Sequence, residues 1–167
     1  FDSHFSGIFP QSERVRAAEL RAQNQVSGIL ADIRGTISEG QINETEALFR
    51  AGIVPHYCAN ITGHGWRKLL RHPAVFTYRI TEVPPVTPVL RFIQLHASLD
   101  NTEAYGTLNM GAGFALFVAA ADADRTVEVA EAAGVKAWVA GRLEAGPKKL
   151  VIEPLQIEFS GEDLKLR

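Results

Sequence analysis

Short runs of two different periods alternate along this chain, and that alternation restricts its fold more than any other feature. Val75-Phe76-Thr77-Tyr78-Arg79-Ile80-Thr81 is rich in β-branched and aromatic residues and reads as a strand. Pro84 to Pro88 breaks it, and Pro88 suits the first position of a helix running to His96, with Thr87 as its cap. Val89, Phe92 and Ile93 share one side of that helix, and His96 stands at its end, where a histidine caps carbonyls or faces solvent. Asp100-Asn101-Thr102-Glu103 opens a short helix through Tyr105. Gly113 to Val118 is a continuous apolar run, expected to be an interior strand buried on both faces. Asp122 to Ala133 is helical, with Val127, Ala130 and Ala133 as its packing stripe and Gly134 as its stop. Val135 to Leu143 reads as the next strand, so strand, helix and strand together predict a βαβ-like crossover. Lys149 to Ile157 and Leu164 to Leu166 supply one or two further strands around a polar turn at Ser160-Gly161-Glu162-Asp163. The fold class is α/β (α+β): a sandwich of a mixed β-sheet with helices packed on it.

The first third of the chain divides by composition. Residues 1–12, with Phe1, Phe5, Ile8 and Phe9, read as an N-terminal arm or the end of a preceding domain, and 13–167 as one domain. A start at Phe1 suggests a processed or trimmed beginning. Val15, Ala18, Ala22, Val26, Ile29 and Ile33 recur every three or four residues and predict a helix of about six turns, capped by Ser12 and stopped at Gly35. Asn43-Glu44-Thr45-Glu46 is a capping signature for a short helix ending near Gly52, and Ile53 to Ala59 is an apolar approach into a glycine-bearing turn. With 167 residues, one core suffices, burying roughly two thirds of the unfolded chain's surface. A net charge of -2 with dispersed basic residues argues against nucleic acid or a membrane surface as partner. The lone Cys58 forms no intrachain disulfide and is expected to be a small buried hydrophobe. Neither a run of eighteen apolar residues nor a signal-peptide pattern occurs, which points to the cytoplasm.

Two glycine-bearing turns carry the chemistry. Asn60-Ile61-Thr62-Gly63-His64-Gly65-Trp66 leads into one or two helical turns through Leu70, stopped by Pro73. Backbone N–H groups of residues 63 to 66, the Thr62 hydroxyl, Lys68 and Arg71 are positioned to hold an anion or a polar ligand, although a tight connection chosen for geometry has the same pattern. Asn109-Met110-Gly111-Ala112-Gly113 is the second turn, with Met110 read as core and the glycines as ligand contacts or as allowance for close backbone approach. The two turns are expected to face one open space. His4, His56, His64, His72 and His96 show no metal-ligand spacing, so no metal site is expected, and neither a catalytic triad nor an NTPase phosphate loop is present.

These residues in this order resemble the C-terminal half of the AIR synthase (phosphoribosylformylglycinamidine cyclo-ligase) family. The family has His-Ile-Thr-Gly-Gly-Gly-Leu followed by an arginine; Asn60 to Trp66 with Arg71 matches it. Its Phe-Asn-Met-Gly-x-Gly corresponds to Leu108 to Gly113, and Asp122-Ala123-Asp124 and Ala137 to Arg142 are also family-like, the matches running from Thr45 to Gly146. The resemblance implies a ligase of purine biosynthesis that uses ATP and Mg2+. An N-terminal half would carry most ATP-phosphate and magnesium ligands and form a homodimer, and this half would turn its glycine loop toward a phosphoribosyl substrate. The chain alone would then be inactive. Asn60 and His64 are the candidate catalytic positions, and Thr62, Gly63, Gly65, Lys68, Arg71, Asn109 and Gly111 the candidate cofactor- or substrate-binding ones. Asn60 stands at the family's histidine, and an amide does not titrate near neutral pH. His64 replaces the middle glycine, restoring acid-base capacity or filling the pocket for another substrate, and Trp66 for leucine would add a stacking surface beside the cleft. A kinase or phosphotransferase of the same superfamily, and a non-catalytic dimerisation or regulatory domain, are the alternatives.

Overall fold

The computed structural model describes residues 46–164. The described region opens in a helix, α1, seen over residues 46–50, and Gly52 (φ 75°) turns the chain out of it. There follow β1 (Tyr57–Asn60), a 3-10 helix (Gly65–Arg71), β2 (Thr77–Ile80), α2 (Pro88–His96), α3 (Asn101–Thr107), β3 (Phe114–Phe117), α4 (Ala123–Ala132), β4 (Gly141–Glu144), β5 (Lys149–Ile152) and β6 (Ile157–Ser160). The predicted helix from residue 13, its Ser12 and Gly35 ends, the residue 1–12 arm and the Asn43 cap lie outside the described residues.

Four strands form a mixed sheet in the order β4-β2-β5-β6, with β2 parallel to β5 and the other pairs antiparallel. Strand alternation separates its faces. Tyr78, Ile80, Leu150, Ile152, Ile157 and Phe159 lie on one face, are buried, and share a single core with Trp66, Leu69, Leu70, Ile93, Tyr105 and Leu108 from the 3-10 helix and α2 and α3. The other face is charged and internally paired: Arg79 bonds Glu144 at 2.8 Å and Glu153 at 2.7 Å, Arg142 bonds Glu144, and Lys149 bonds Glu158 at 2.9 Å. β1 and β3 form a separate antiparallel pair, Tyr57 opposite Phe117 and Asn60 opposite Phe114. The mixed sheet with helices packed on it is the expected fold class.

Local rules place the helices. Thr87 precedes α2 in extended conformation with Pro88 at the first helical position, although its hydroxyl makes no cap bond. At α3 the capping box is complete, the Glu103 N–H donating to Asp100 Oδ1 at 2.8 Å and the Asp100 N–H to Glu103 Oε2 at 3.1 Å. Gly134 (φ 84°) follows α4, whose buried residues are Thr126 and Ala130. His96 bonds the Phe92 carbonyl at 2.9 Å and stacks on the Phe92 ring, one of its two expected roles.

Several expectations are overturned. The βαβ crossover does not form, because β3 and β4 lie in different sheets and β4 runs antiparallel to β2. Residues 135–140 are irregular, so the strand expected from Val135 is confined to Gly141–Glu144. β3 is not buried on both faces: all four of its residues are half-buried and its partner is the short β1. Cys58 is exposed, because alternation along β1 turns the neighbouring Ala59 inward. At the C-terminal end, the polar turn expected at Ser160 to Asp163 is the 3-10 turn Gly161–Leu164, which takes in the first residue of the strand expected from Leu164, and residues 165–167 lie outside the described region.

The 3-10 helix is locked to α3 at one point. A Cβ on Gly65 would lie 2.1 Å from the Tyr105 carbonyl oxygen and 2.8 Å from both the Leu108 oxygen and the Thr107 nitrogen, so two backbones touch where only a glycine fits. Arg67 Nε donates to the Gly106 oxygen at 2.9 Å beside this contact. Gly65→Ala should therefore cost upwards of about 2 kcal/mol in urea unfolding, from overpacking together with its positive φ. Gly134→Ala, also at positive φ but with open space around it, should cost about 1 kcal/mol; equal losses at the two sites would refute the contact as the cause. On the charged face, the bond from Arg79 holds the Glu144 carboxyl below its ordinary value, with Arg142 adding to it against the opposing effect of burial. A depressed carboxylate stabilises the fold above its unfolded value and loses that contribution as pH falls through the folded one. Glu144→Gln should then destabilise at neutral pH and converge with the wild type in acid, as read from unfolding midpoints across pH.

Candidate functional site

β1 delivers Asn60, exposed and paired with Phe114, to the first glycine turn. The Ile61 N–H donates to the Gly113 oxygen at 2.9 Å, which stitches the first turn to the end of the second. The Gly65 N–H donates back to the Thr62 oxygen at 2.9 Å, closing a tight turn through Gly63 and His64. Of the backbone donors offered by residues 63 to 66, that of Gly65 is thus engaged within the turn. His64 takes a left-handed conformation (φ 87°, ψ 3°), and its Nδ1 lies 2.7 Å from the Gly63 oxygen. A carbonyl only accepts, so Nδ1 carries the proton and Nε2 is the nitrogen left to serve a ligand.

Lys68 reaches back along the same turn, its Nζ hydrogen-bonded to Thr62 Oγ1. Lys68 and Arg71 are three residues apart on a 3-10 helix, where side chains at that spacing eclipse one another. Burial pushes the Lys68 ammonium below its ordinary value, and the charge of Arg71 pushes it the same way. Arg79, Arg142 and Lys149 all have carboxylate partners, whereas none of the ion pairs among the described residues involves Lys68 or Arg71. The donor set of ammonium, guanidinium and hydroxyl suits phosphate oxygens. It does not suit Mg2+, which takes oxygen ligands, and the first turn of the helix carries no acidic residue. Among the described residues no group of three or more His, Cys, Asp or Glu is placed to hold a metal.

The second turn is built as tightly. Met110 is fully buried at φ 46°, and Gly111 (φ 101°) approaches Pro85, whose oxygen would lie 2.9 Å from an added Cβ. Asn109 Oδ1 accepts the Gly111 N–H at 3.1 Å, and the Asn109 carbonyl accepts the Ala112 N–H at 3.0 Å and Trp66 Nε1 at 2.8 Å. The structure therefore brings the two turns together, through the Ile61–Gly113 bond and through Trp66. That corrects the expectation of a stacking surface: the indole is 1% exposed and belongs to the core, its ring 5.4 Å from that of Tyr105. Thr62, Gly63, His64 and Lys68 are gathered at the first turn, Asn109 and Gly111 brace the second, and Arg71 lies at the far end of the 3-10 helix.

Two anchors have no counterpart among the sequence expectations. Arg67 reads in the sequence only as part of a helical run, and its bond to Gly106 has no sequence signal because the acceptor is a backbone oxygen 39 residues away. His72 sits edge-on to Tyr57 at 4.8 Å, accepts the Ala74 N–H at 3.1 Å through Nδ1, and receives Lys148 Nζ on its carbonyl at 2.8 Å. It is thereby a structural histidine beneath β1. No helix among the described residues is long and apolar enough to cross a membrane.

Comparison with known proteins gives the chain a family. Residues 56–153 match the model of the AIR synthase related protein C-terminal domain. A phosphoribosylformylglycinamidine cyclo-ligase of Methanococcus maripaludis is 37% identical over 86 residues, covering 52% of this chain and 25% of that protein. One from Methanocaldococcus jannaschii is 35% identical over 97 residues (56% and 28%), and one from Lachnoclostridium phytofermentans 25% identical over 132 residues (76% and 38%). The chain thus spans between 25% and 38% of the length of these relatives. Both glycine turns fall within the matched region, and the chain belongs to the AIR synthase related protein family as its C-terminal domain.

Proposed function

We propose that this chain is the substrate-binding domain of an ATP-dependent cyclo-ligase acting on formylglycinamidine ribonucleotide, working in a homodimer with an N-terminal half that holds ATP and Mg2+. The observation that carries this reading is the polar turn of Thr62, His64 and Lys68, with Arg71 at the far end of the 3-10 helix, in a domain of this family. ATP would supply the phosphoryl group that turns the formyl oxygen into a leaving group. The residues of this chain would do the rest locally. Thr62, Lys68 and Arg71 neutralise and orient an anionic substrate, the core beneath Trp66 keeps the turn rigid, and Gly63 brings backbone close to the ligand. Asn60 orients through its amide, since it does not exchange a proton near neutral pH. His64, with Nδ1 held by Gly63 and Nε2 left over, is the proton carrier.

Isothermal titration of the parent-length protein with formylglycinamidine ribonucleotide, in the presence of a non-hydrolysable ATP analogue, should show saturable binding. Absence of ribonucleotide binding would sink the reading. His64→Gly separates the two roles of that side chain. It should stabilise the fold by about 1 kcal/mol by relieving the left-handed backbone, and lower kcat with little change in KM. An undiminished kcat would mean that the imidazole only fills space.

A further inference from the structure

We infer that the open edge of β4 is a self-complementary docking strand, on which a second copy of this chain lays its own β4 antiparallel, so that one sheet runs through both copies. The inference is independent of the substrate reading above and of the homodimer contact assigned there to an N-terminal half. β4 is the last strand in the order β4-β2-β5-β6, so one of its sides faces no strand among the described residues. The ladder on its other side fixes which groups the open edge carries. The Thr81 N–H donates to the Ala140 oxygen at 2.9 Å, and across β2 the Lys149 N–H donates to the Phe76 oxygen at 3.3 Å. Odd-numbered residues of β2 therefore turn their backbone groups to β4 and even-numbered ones to β5. With Arg79 opposite Arg142 and Thr77 opposite Glu144, Arg142 and Glu144 are the residues of β4 that bond β2. Gly141 and Leu143 turn their N–H and C=O groups outward, as a template for another strand. The template is held in place, because a Cβ on Gly141 would lie 1.9 Å from the Arg79 oxygen and β4 is thus pressed closely onto β2.

Charge selects the occupant and the register. A two-fold axis perpendicular to the sheet keeps the core faces of the two copies on one side, so odd-numbered residues of β4 meet odd-numbered ones and even meet even. A register centred on Arg142 sets guanidinium against guanidinium, and one centred on Glu144 sets carboxylate against carboxylate. Centred on Leu143, the pairing puts Arg142 opposite the second copy's Glu144 on both sides of the axis. Like charges directly opposite destabilise a strand pair and unlike charges stabilise it, so the centre is Leu143. That register also uses the free backbone groups: Leu143 and its copy exchange their outward N–H and C=O groups. Arg142 and Glu144 then fall at the non-hydrogen-bonded positions, where opposed side chains come closest. Within its own strand Arg142 reaches Glu144 Oε1 through Nε at 2.9 Å and Nη2 at 2.8 Å, which leaves the Nη1 donors for the second copy's carboxylate. On the core face Leu143, opposite Tyr78 and 40% exposed at the rim, meets the same side chain of its copy. Apolar contact at the axis, flanked by two ion pairs, is what one β4 offers another.

The test is sedimentation equilibrium of the full chain together with amide hydrogen exchange. One short strand per copy makes a small contact, so the dissociation constant should be on the order of 0.1 mM, with the average mass rising from monomer toward dimer around that concentration. The Gly141 and Leu143 amides should gain protection over the same range, whereas those of Arg142 and Glu144, bonded to β2, should be protected throughout. Leu143→Pro removes an N–H that faces away from β2, a position at which an edge strand tolerates proline. The variant should therefore stay folded, with Arg142 and Glu144 still protected, and associate at least about tenfold more weakly. Arg142→Glu, which sets carboxylate against carboxylate, should also weaken association at least about tenfold, while Arg142→Lys, which keeps the sign, should stay within about threefold of the wild type. A chain that remains monomeric to about 1 mM would overturn the proposal. So would association that survives both Leu143→Pro and Arg142→Glu, which would place the contact on another surface. Protection of the Gly141 and Leu143 amides at every concentration would mean that another segment of the same chain covers this edge, and would overturn it equally.

Discussion

The rest of the described structure depends on a backbone-to-backbone contact. At Gly65 the first residue of the 3-10 helix touches the last turn of α3, and everything nearby is arranged around that approach. Trp66, the next residue, is driven into the core and hands its N–H to Asn109. Arg67 ties its guanidinium to Gly106 on the same helix. Three successive residues thus fasten the 3-10 helix to α3 and to the turn that follows it: a steric fit, an indole bond and a guanidinium bond. The glycine loop before them inherits its position, so Thr62, His64 and Lys68 are held from behind by core packing as well as by their bonds within the turn.

This arrangement explains which parts of the fold were legible in the sequence. The capping box at Asp100, the proline start of α2 and the glycine stops at Gly52 and Gly134 are local, each decided by a few consecutive residues, and each was readable. The strand cores at Thr77–Ile80 and Lys149–Ile152 were readable too, because β-branched and aromatic runs announce themselves. Pairing was not readable. An apolar run such as Phe114–Phe117 says that a strand exists and leaves open which strand it joins, so a sequential crossover was the default and the structure chose two sheets. The site divided along the same line. The glycine turns and their cations showed in the sequence, whereas the burial of Trp66 and the bond from Arg67 to Gly106 depend on partners about forty residues away.

Charge is treated in two opposite ways on this molecule. On the outer face of the mixed sheet Arg79 bonds two carboxylates and Glu144 receives two guanidinium groups, an arrangement in which each charge is answered by a neighbour on its own or an adjacent element. Such a face is complete and offers little to a ligand. Along Gly65–Arg71 the cations answer nothing of opposite sign among the described residues, and Lys68 is disfavoured as an ammonium by its own burial and by Arg71.

His64 adds a second local cost to that place. A residue with a Cβ at φ 87° gives up about 1 kcal/mol or more relative to glycine, two residues after Thr62 and four before Lys68. Strain, repulsion and desolvation therefore fall within one short stretch, while the support behind it is among the best packed in the molecule, with Trp66, Leu70 and Met110 almost wholly buried. Stability selected for its own sake would remove the first set, since a glycine at position 64 and an uncharged residue at 68 are ordinary chemistry. In the function proposed above, local stability is given up here for an arranged set of groups, with the rest of the fold bearing the cost.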